Sequence, residues 1–404
     1  MRTHKRMNTL TGIWFTLLLI AFAPTFLSAD PSHFQAQTSP EPTLTHTSLP
    51  TIIPTSTPEH SLIIASRVNE LAQLRRWQAH PSAVLGISFS PDLIHLVSTG
   101  NDLVDGTAPI RLWNVRTGEP IEFNFTGILP YALASTVHFS HDGQYVATSV
   151  GSILVWNIAD GSQIARIGQG SIDIAFADVT PSSDGSLIAV AREDGLVSIW
   201  SVPQPLPDRQ IREEMGLSDD YLAAFRYEAL ITAFRIDAPL RDIAFDPVTQ
   251  KIFILSGSGD LTIFTWEGIN GRAETVTPQL SQPASEPIQG YPGSQIALRA
   301  GTSTVAYTDS ANTVVVYDLN QQQPVAHYDL SVPISCIMYS PNGEILVITE
   351  LTENSAVHIL DSNTGKSLMV SNTQSMITNC TFSPDGTQFA TGNAEGEITI
   401  WGIA

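Results

Sequence analysis

Lysine is nearly missing from this sequence: Lys5, Lys251 and Lys366 are the three in 404 residues. Nineteen bases face 39 acids, a formal charge of −20. That balance excludes nucleic-acid backbones and anionic membrane surfaces as partners, because both need clustered Lys and Arg. Charged residues make up 14% of the chain, well below the usual ~25%, which argues against a solvated disordered protein. Two cysteines cannot build a disulfide framework. Gly-x-Ser-x-Gly, His-Glu-x-x-His, Cys-x-x-Cys and phosphate-binding glycine loops are all absent. No catalytic residue, cofactor or metal-ligand set is therefore expected, and no segment has the alternating acids and glycine of a calcium loop.

What is present begins with an export pattern. Arg2, Lys5 and Arg6 precede an apolar run from Ile13 to Ala23, which Pro24 breaks and Ser28 and Ala29 end. Charged, apolar and small residues in that order read as a secretory signal cleaved after Ala29. The alternative is an uncleaved anchor, although the run is shorter than the ~20 apolar residues that span a bilayer. Cleavage would leave 16 bases (19 − 3) against 39 acids, a charge of −23. The mature chain is expected outside the cytoplasm: secreted, periplasmic or at the cell surface. Residues 30–60 hold six Pro, seven Thr and four Ser, which suits an extended linker with nothing to bury.

After residue 60 one pattern returns seven times. An apolar run ends in an aromatic and a turn: Phe89-Ser90-Pro91-Asp92, Phe139-Ser140-His141-Asp142-Gly143, Phe245-Asp246-Pro247, Tyr339-Ser340-Pro341-Asn342-Gly343 and Phe382-Ser383-Pro384-Asp385-Gly386. Weaker copies lie at Pro181–Gly185 and Arg299–Gly301. Pro, Asp and Gly there are turn chemistry between strands. A later strand of each copy ends in a large side chain: Trp113, Trp156, Trp200, Trp266, Tyr317, Leu360 and Trp401. Most spacings fall near 40 to 45 residues, the mark of a propeller blade of four short strands. A hydroxyl closes the middle strand in six copies (Ser98, Thr148, Ser256, Thr308, Thr349, Thr391), with Ala191 the exception. Strands such as Ile153-Leu154-Val155-Trp156 are apolar on consecutive residues, so both of their faces must be covered.

From residue 62 to 404 the chain resembles the WD-repeat family. The fold expected is all-β: a seven-bladed propeller of four-stranded antiparallel blades over residues 61–404, with one short helical insertion. The family's name dipeptide stands altered, as Trp113-Asn114, Trp156-Asn157, Tyr317-Asp318 and Leu360-Asp361. The resemblance implies a structural hydrogen-bond network of His, strand hydroxyl, turn Asp and Trp. By position the first copy alone could hold all four: His80, Ser98, Asp105 and Trp113. The last copy lacks its outer strand, and Glu70–Trp77 is expected to supply it by pairing with Glu397–Trp401, which removes an exposed edge.

Deviations from the repeat mark where partners could dock. An insertion over 202–230 carries Ser218-Asp219-Asp220, a helix start, with Tyr221, Leu222 and Phe225 as docking candidates. The same helix would equally serve to cover local apolar surface. The resemblance places Asp102, Asp105, Asp194, Asp260, Tyr291, Glu353 and Glu395 on the upper face. Acids converging there suggest a cation or basic-peptide site; turn acids that only bond their own backbone are the other reading. Cys336 and Cys380, on neighbouring first strands, are expected as buried free thiols, because packed sheets lie ~10 Å apart. His138, His327 and His358 are read as packing residues.

Two functions fit. One is a monomeric, exported, non-enzymatic scaffold for protein partners, with no nucleic acid and no membrane insertion of the mature chain. The other is a propeller hydrolase or lactonase, which needs acids and a metal meeting in the central channel.

Overall fold

A computed structural model describes residues 61–100, 110–123, 125, 134–149, 152–167, 176–182, 185–202, 230–246, 251–265, 272–276, 295–309 and 312–403. The signal and linker segments, Asp102, Asp105, Trp266, Tyr291 and the insertion residues Tyr221, Leu222 and Phe225 lie outside the described residues, as does the insertion's expected helix.

After a 3-10 turn at Ala65–Glu70 comes β1 (Leu71–Gln78). Blade one is β2 (Val84–Phe89), β3 (His95–Gly100), β4 (Ile110–Asn114) and β5 (Pro120–Ile121). Blade two is β6 (Val137–Phe139), β7 (Tyr145–Ser149), β8 (Ile153–Asn157) and β9 (Gln163–Ile167). Blade three is β10 (Phe176–Pro181), β11 (Leu187–Arg192), β12 (Leu196–Ser201) and β13 (Leu230–Arg235). Blade four is β14 (Leu240–Phe245), β15 (Lys251–Ser256), β16 (Leu261–Thr265) and β17 (Arg272–Val276). Blade five is β18 (Ile296–Leu298), β19 (Thr304–Thr308), β20 (Thr313–Asp318) and β21 (Gln323–Asp329). Blade six is β22 (Ile334–Tyr339), β23 (Ile345–Glu350), β24 (Ala356–Asp361) and β25 (Ser367–Asn372). Blade seven joins β26 (Ile377–Phe382), β27 (Gln388–Asn393) and β28 (Glu397–Ile403) to β1.

The first strands touch in a closed cycle, β2 to β6 and onward to β26, which returns to β2. The seven sheets thus stand as the blades of a ring. β1 closes it, pairing antiparallel with β28 from Leu71 against Ile403 to Gln78 against Glu397. Trp77 of β1 also packs on Trp113 of blade one, ring centres 5.9 Å apart.

The repeated turn is built by its serine. Ser383 Oγ donates to Asp385 (2.7 Å) and accepts the Gln388 N–H (3.0 Å). Ser140 with Asp142 and Tyr145, and Ser340 with Asn342 and Ile345, repeat that arrangement. The residue after the Trp position caps the next turn: Asn114 accepts from Arg116 and Thr117, Asp361 from Asn363 and Thr364.

Apolar burial follows the junctions. The buried clusters among the described residues each combine two neighbouring blades, one cluster per junction. Alternate residues of one strand serve opposite clusters: Leu96 packs toward blade seven and Val97 toward blade two. No blade hides its own faces, so the ring stands on mutual cover.

Strand register corrects three expectations. Trp113, Trp156, Trp200, Tyr317, Leu360 and Trp401 face equivalent residues of the middle strand. In blade four that place belongs to Phe264, opposite Ile252, and not to Trp266. The two aromatics stand two apart in sequence, so period-two alternation alone does not choose between them. Second, the six hydroxyls are not one set. Ser98, Thr148 and Thr391 share a register, whereas Thr308 and Thr349 lie one residue further along, on the opposite face. Third, Cys336 and Cys380 are not free thiols but a disulfide, with Cα atoms 6.0 Å apart. The ~10 Å separation holds for stacked sheets; blades radiate from an axis, and their first strands converge below it.

Candidate functional site: the network blade, the upper turns and the channel

Blade one brings three of its four expected network residues together. His80 Nε2 lies 2.8 Å from Ser98 Oγ, and Trp113 Nε1 donates to the same oxygen at 2.8 Å. All three side chains are buried, so each polar atom needs such a partner. His80 packs against the backbone of Gly100, where a Cβ would fall 2.3 Å from the ring. Blade seven keeps part of the arrangement, with Trp401 Nε1 donating to Thr391 Oγ1 at 3.0 Å. Blade three substitutes a neighbour: Trp200 Nε1 donates to Ser198 on its own strand at 2.9 Å.

The described upper acids sit on separate turns. Asp194, between β11 and β12, receives Arg192 Nη2 at 2.9 Å, Arg235 Nη2 at 3.3 Å and the Leu196 N–H at 3.4 Å. Partial burial works to raise its carboxyl; the Leu196 N–H and the two guanidiniums outweigh that and hold it below the usual range. Asp260, between β15 and β16, accepts from Ser258 at 2.8 Å. Glu353 and Glu395 are exposed on the β23–β24 and β27–β28 turns, and the Glu395 N–H bonds Asn393 at 3.1 Å. Among the described residues no group of three His, Cys, Asp or Glu could hold a metal ion.

The channel itself holds the polar cluster that the sequence reading missed. The first strands enclose a cavity of about 290 Å3. On one wall His138 Nε2 lies 3.4 Å from Asp178 Oδ1, and Asp178 faces the fully buried Asp242. Asp242 Oδ2 accepts the N–H groups of Gln295 (2.6 Å) and Ile296 (2.8 Å), and Oδ1 that of Ile243 (2.8 Å). Burial, then the adjacent Asp178, push the Asp242 carboxyl well above the ordinary carboxylate range against the pull of those N–H groups. The upward push favours the neutral form of Asp242, which lets the two acids lie together.

Asp178, Asp242, Gln295, Cys336 and Asn379 occupy one equivalent place in five first strands, opposite Ala191, Leu255, Thr308, Thr349 and Gly392. Four of them bond the next blade around the ring. Asp242 takes N–H groups of blade five, Gln295 Nε2 donates to Ser335 O (2.7 Å), Cys336 bonds Cys380, and Asn379 Nδ2 donates to Leu85 O (3.1 Å). Gly86 has this place in blade one, where a Cβ would come within 3.0 Å of the Val137 nitrogen of blade two. These side chains are clamps between blades. Three backbone donors on its oxygens hold Asp242 in place between blades. The histidines differ from the packing role expected of them: His138 faces Asp178, His358 bonds Glu350 at 2.8 Å, and His327 is exposed on β21.

Comparison with known proteins agrees with this geometry. Residues 71–108 match the WD domain, G-beta repeat family, and residues 300–400 match the family described as Eukaryotic translation initiation factor eIF2A. The chain is similar to Actin-interacting protein 1 of Drosophila melanogaster, 22% identical over 81% of this chain and 54% of that protein. It is also similar to Serine-threonine kinase receptor-associated protein of Dictyostelium discoideum, 28% identical over 27% of this chain and 40% of that protein. A third similarity is to the WD repeat-containing protein 91 homolog of Dictyostelium discoideum, 27% identical over 30% of this chain and 16% of that protein. The chain thus spans at most about half the length of the curated relatives it matches.

Proposed function

We propose that this chain is an exported, non-enzymatic scaffold whose ring faces bind protein partners. The observation that carries the reading is the closed seven-bladed ring with WD-repeat similarity, in which the polar network and the channel acids are bonded within the protein. A rigid ring of this kind presents loops on two faces while its chemistry stays internal. The Drosophila relative is named for interacting with actin, and one Dictyostelium relative for association with a serine-threonine kinase receptor. Neither partner is carried over; what carries over is partner binding by a WD-repeat ring. Docking on this chain is assigned to the upper turns at Asp194, Asp260, Glu353 and Glu395 and to the 202–230 insertion.

Export rests on the signal pattern of residues 1–29 and the Thr/Pro/Ser-rich linker. The Cys336–Cys380 disulfide supports it, because disulfides persist in oxidising compartments. Among the described residues no helix is long and apolar enough to cross a membrane.

Two measurements test the proposal. The mass of the natively produced chain should begin at Asp30; a chain retaining Met1 contradicts cleavage. Crosslinking capture from envelope extracts should retrieve one protein reproducibly, and purified pairs should bind directly. Deleting residues 203–229 should abolish that binding if the insertion docks. Failure of the full chain to retain any partner overturns the scaffold reading.

A further inference from the structure

The last blade holds a second cavity, of about 260 Å3, between blades six and seven. Its place in the fold is defined by register with blade one. Phe89 and Phe382 are equivalent, each facing the second residue of its middle strand. Counting back from them sets Thr373 where His80 stands. The same register sets Thr391 at Ser98, Trp401 at Trp113, Thr399 at Arg111 and Asn393 at Gly100. Thr373, Thr391, Asn393, Thr399 and Trp401 all line the cavity, with Ser375 beside them.

Blade one fills this space with its own imidazole and a long arginine, whose Nη1 donates to Ala79 O at 2.8 Å. Blade seven has two threonines at those places, and Asn393 recovers only part of the volume. Asn393 Nδ2 is bonded to Ser375 Oγ and Glu397 Oε2, both at 2.7 Å, which fixes one wall. Thr391 is 4% exposed. Its oxygen accepts from Trp401, as Ser98 accepts from Trp113. Ser98, however, is also bonded to His80 Nε2. Among the described residues the Thr391 hydroxyl proton has no acceptor, and it borders the cavity at the place where His80 Nε2, which accepts or donates according to its tautomer, stands in blade one. A buried hydroxyl in this condition favours any ligand that supplies the acceptor.

We infer that this cavity is a binding site for a small, uncharged, planar nitrogen heterocycle of the imidazole class, which supplies the histidine that blade seven lacks. The ring nitrogen accepts from Thr391 Oγ1, the ring lies in the space His80 occupies in blade one, and Gln73 and Arg76 border the cavity from the closing strand. The site is independent of the partner-docking reading. Protonation of the ligand removes the acceptor nitrogen, so binding belongs to the neutral form.

The test uses the full mature chain labelled with 15N-tryptophan. The Trp401 indole N–H is identified as the signal lost in Trp401→Phe. Imidazole up to ~100 mM at about pH 8 should move that signal along a saturable curve, and the apparent affinity should fall at least about tenfold at about pH 5. Thr391→Ser should keep the response. Thr391→Val should lose it while the other indole signals stay in place. N-acetylhistidine methylamide distinguishes the sources of the ring: a response to it as well assigns the site to a partner's histidine, and a response to imidazole alone assigns it to a free heterocycle. A Trp401 signal unmoved at the highest concentration, or moved equally at both pH values, overturns the inference.

Discussion

Blades one and four answer the same structural demand with opposite chemistry. In blade one His80, Ser98 and Trp113 occupy three adjoining places and are held by two hydrogen bonds of 2.8 Å. In blade four the equivalent places hold Ile236, Ile254 and Phe264. All three pack in one apolar cluster, and Phe264 stacks on Phe234 at 4.7 Å. The ring needs those places filled and their polar atoms satisfied; it does not need histidine or tryptophan. Blade seven, with Thr373, Thr391 and Trp401, stands between the two: the polar residues are there and the histidine is missing. Hydrogen bonding gives a blade geometric specificity and leaves it exposed to partial loss, whereas an all-apolar blade has nothing to leave unsatisfied.

The largest effects should come from emptying the shared place. Phe264→Ala and Trp113→Ala should each lower unfolding free energy by about 3–5 kcal/mol in denaturant titrations. Near-equal losses would show that the two chemistries serve one packing role; a loss under ~1 kcal/mol at Phe264 would return that role to another residue. Replacing both cysteines by serine should cost on the order of 4 kcal/mol, since the bond closes 44 residues of sequence. His80→Ala should cost about 1–3 kcal/mol, because Ser98 loses a partner inside the blade. The triple change His80→Ile, Ser98→Ile and Trp113→Phe converts blade one toward the blade-four pattern. It should cost less than the sum of its single changes; a fully additive loss would mean the places are not interchangeable.

The smallest effect is a slope with pH. Asp242 holds its proton in the folded ring to a higher pH than in the unfolded chain. The native protein therefore loses stability as pH rises above the ordinary carboxylate pKa of ~3.9, until the folded carboxyl also ionises. Asp178→Asn removes a neighbouring carboxylate that raises Asp242, so that decline should become shallower in thermal melts across this range, burial alone remaining. An unchanged slope would show that burial alone raises Asp242.

Much of this architecture was legible in residues alone. Each aromatic-Ser-Pro-Asp-Gly turn fixes the end of a first strand, and an apolar strand ending in a large side chain marks the third. Pairing register in blade four was not legible, because aromatics at 264 and 266 fit the same alternation and sequence cannot choose between them. Nor was the distance between Cys336 and Cys380, since it depends on convergence at an axis that local pattern does not encode. The channel clamps did leave a signal: a polar or cysteine side chain at one fixed offset before the turn in Asp178, Asp242, Gln295, Cys336 and Asn379. It was hidden because each looks like an isolated polar residue until the copies are aligned. Asp194 and Asp260 were legible as turn acids; Tyr291 and the helix at Tyr221 lie outside the described residues, and their docking role stands as a proposal.

The central claim is that the ring is one cooperative body closed by β1 on β28. Calorimetry of the mature chain against the same chain lacking residues 61–78 tests it directly. The account predicts a single sharp transition for the intact ring and, after deletion, a lower Tm with rapid amide exchange along Glu397–Ile403. The same Tm in both chains would contradict it.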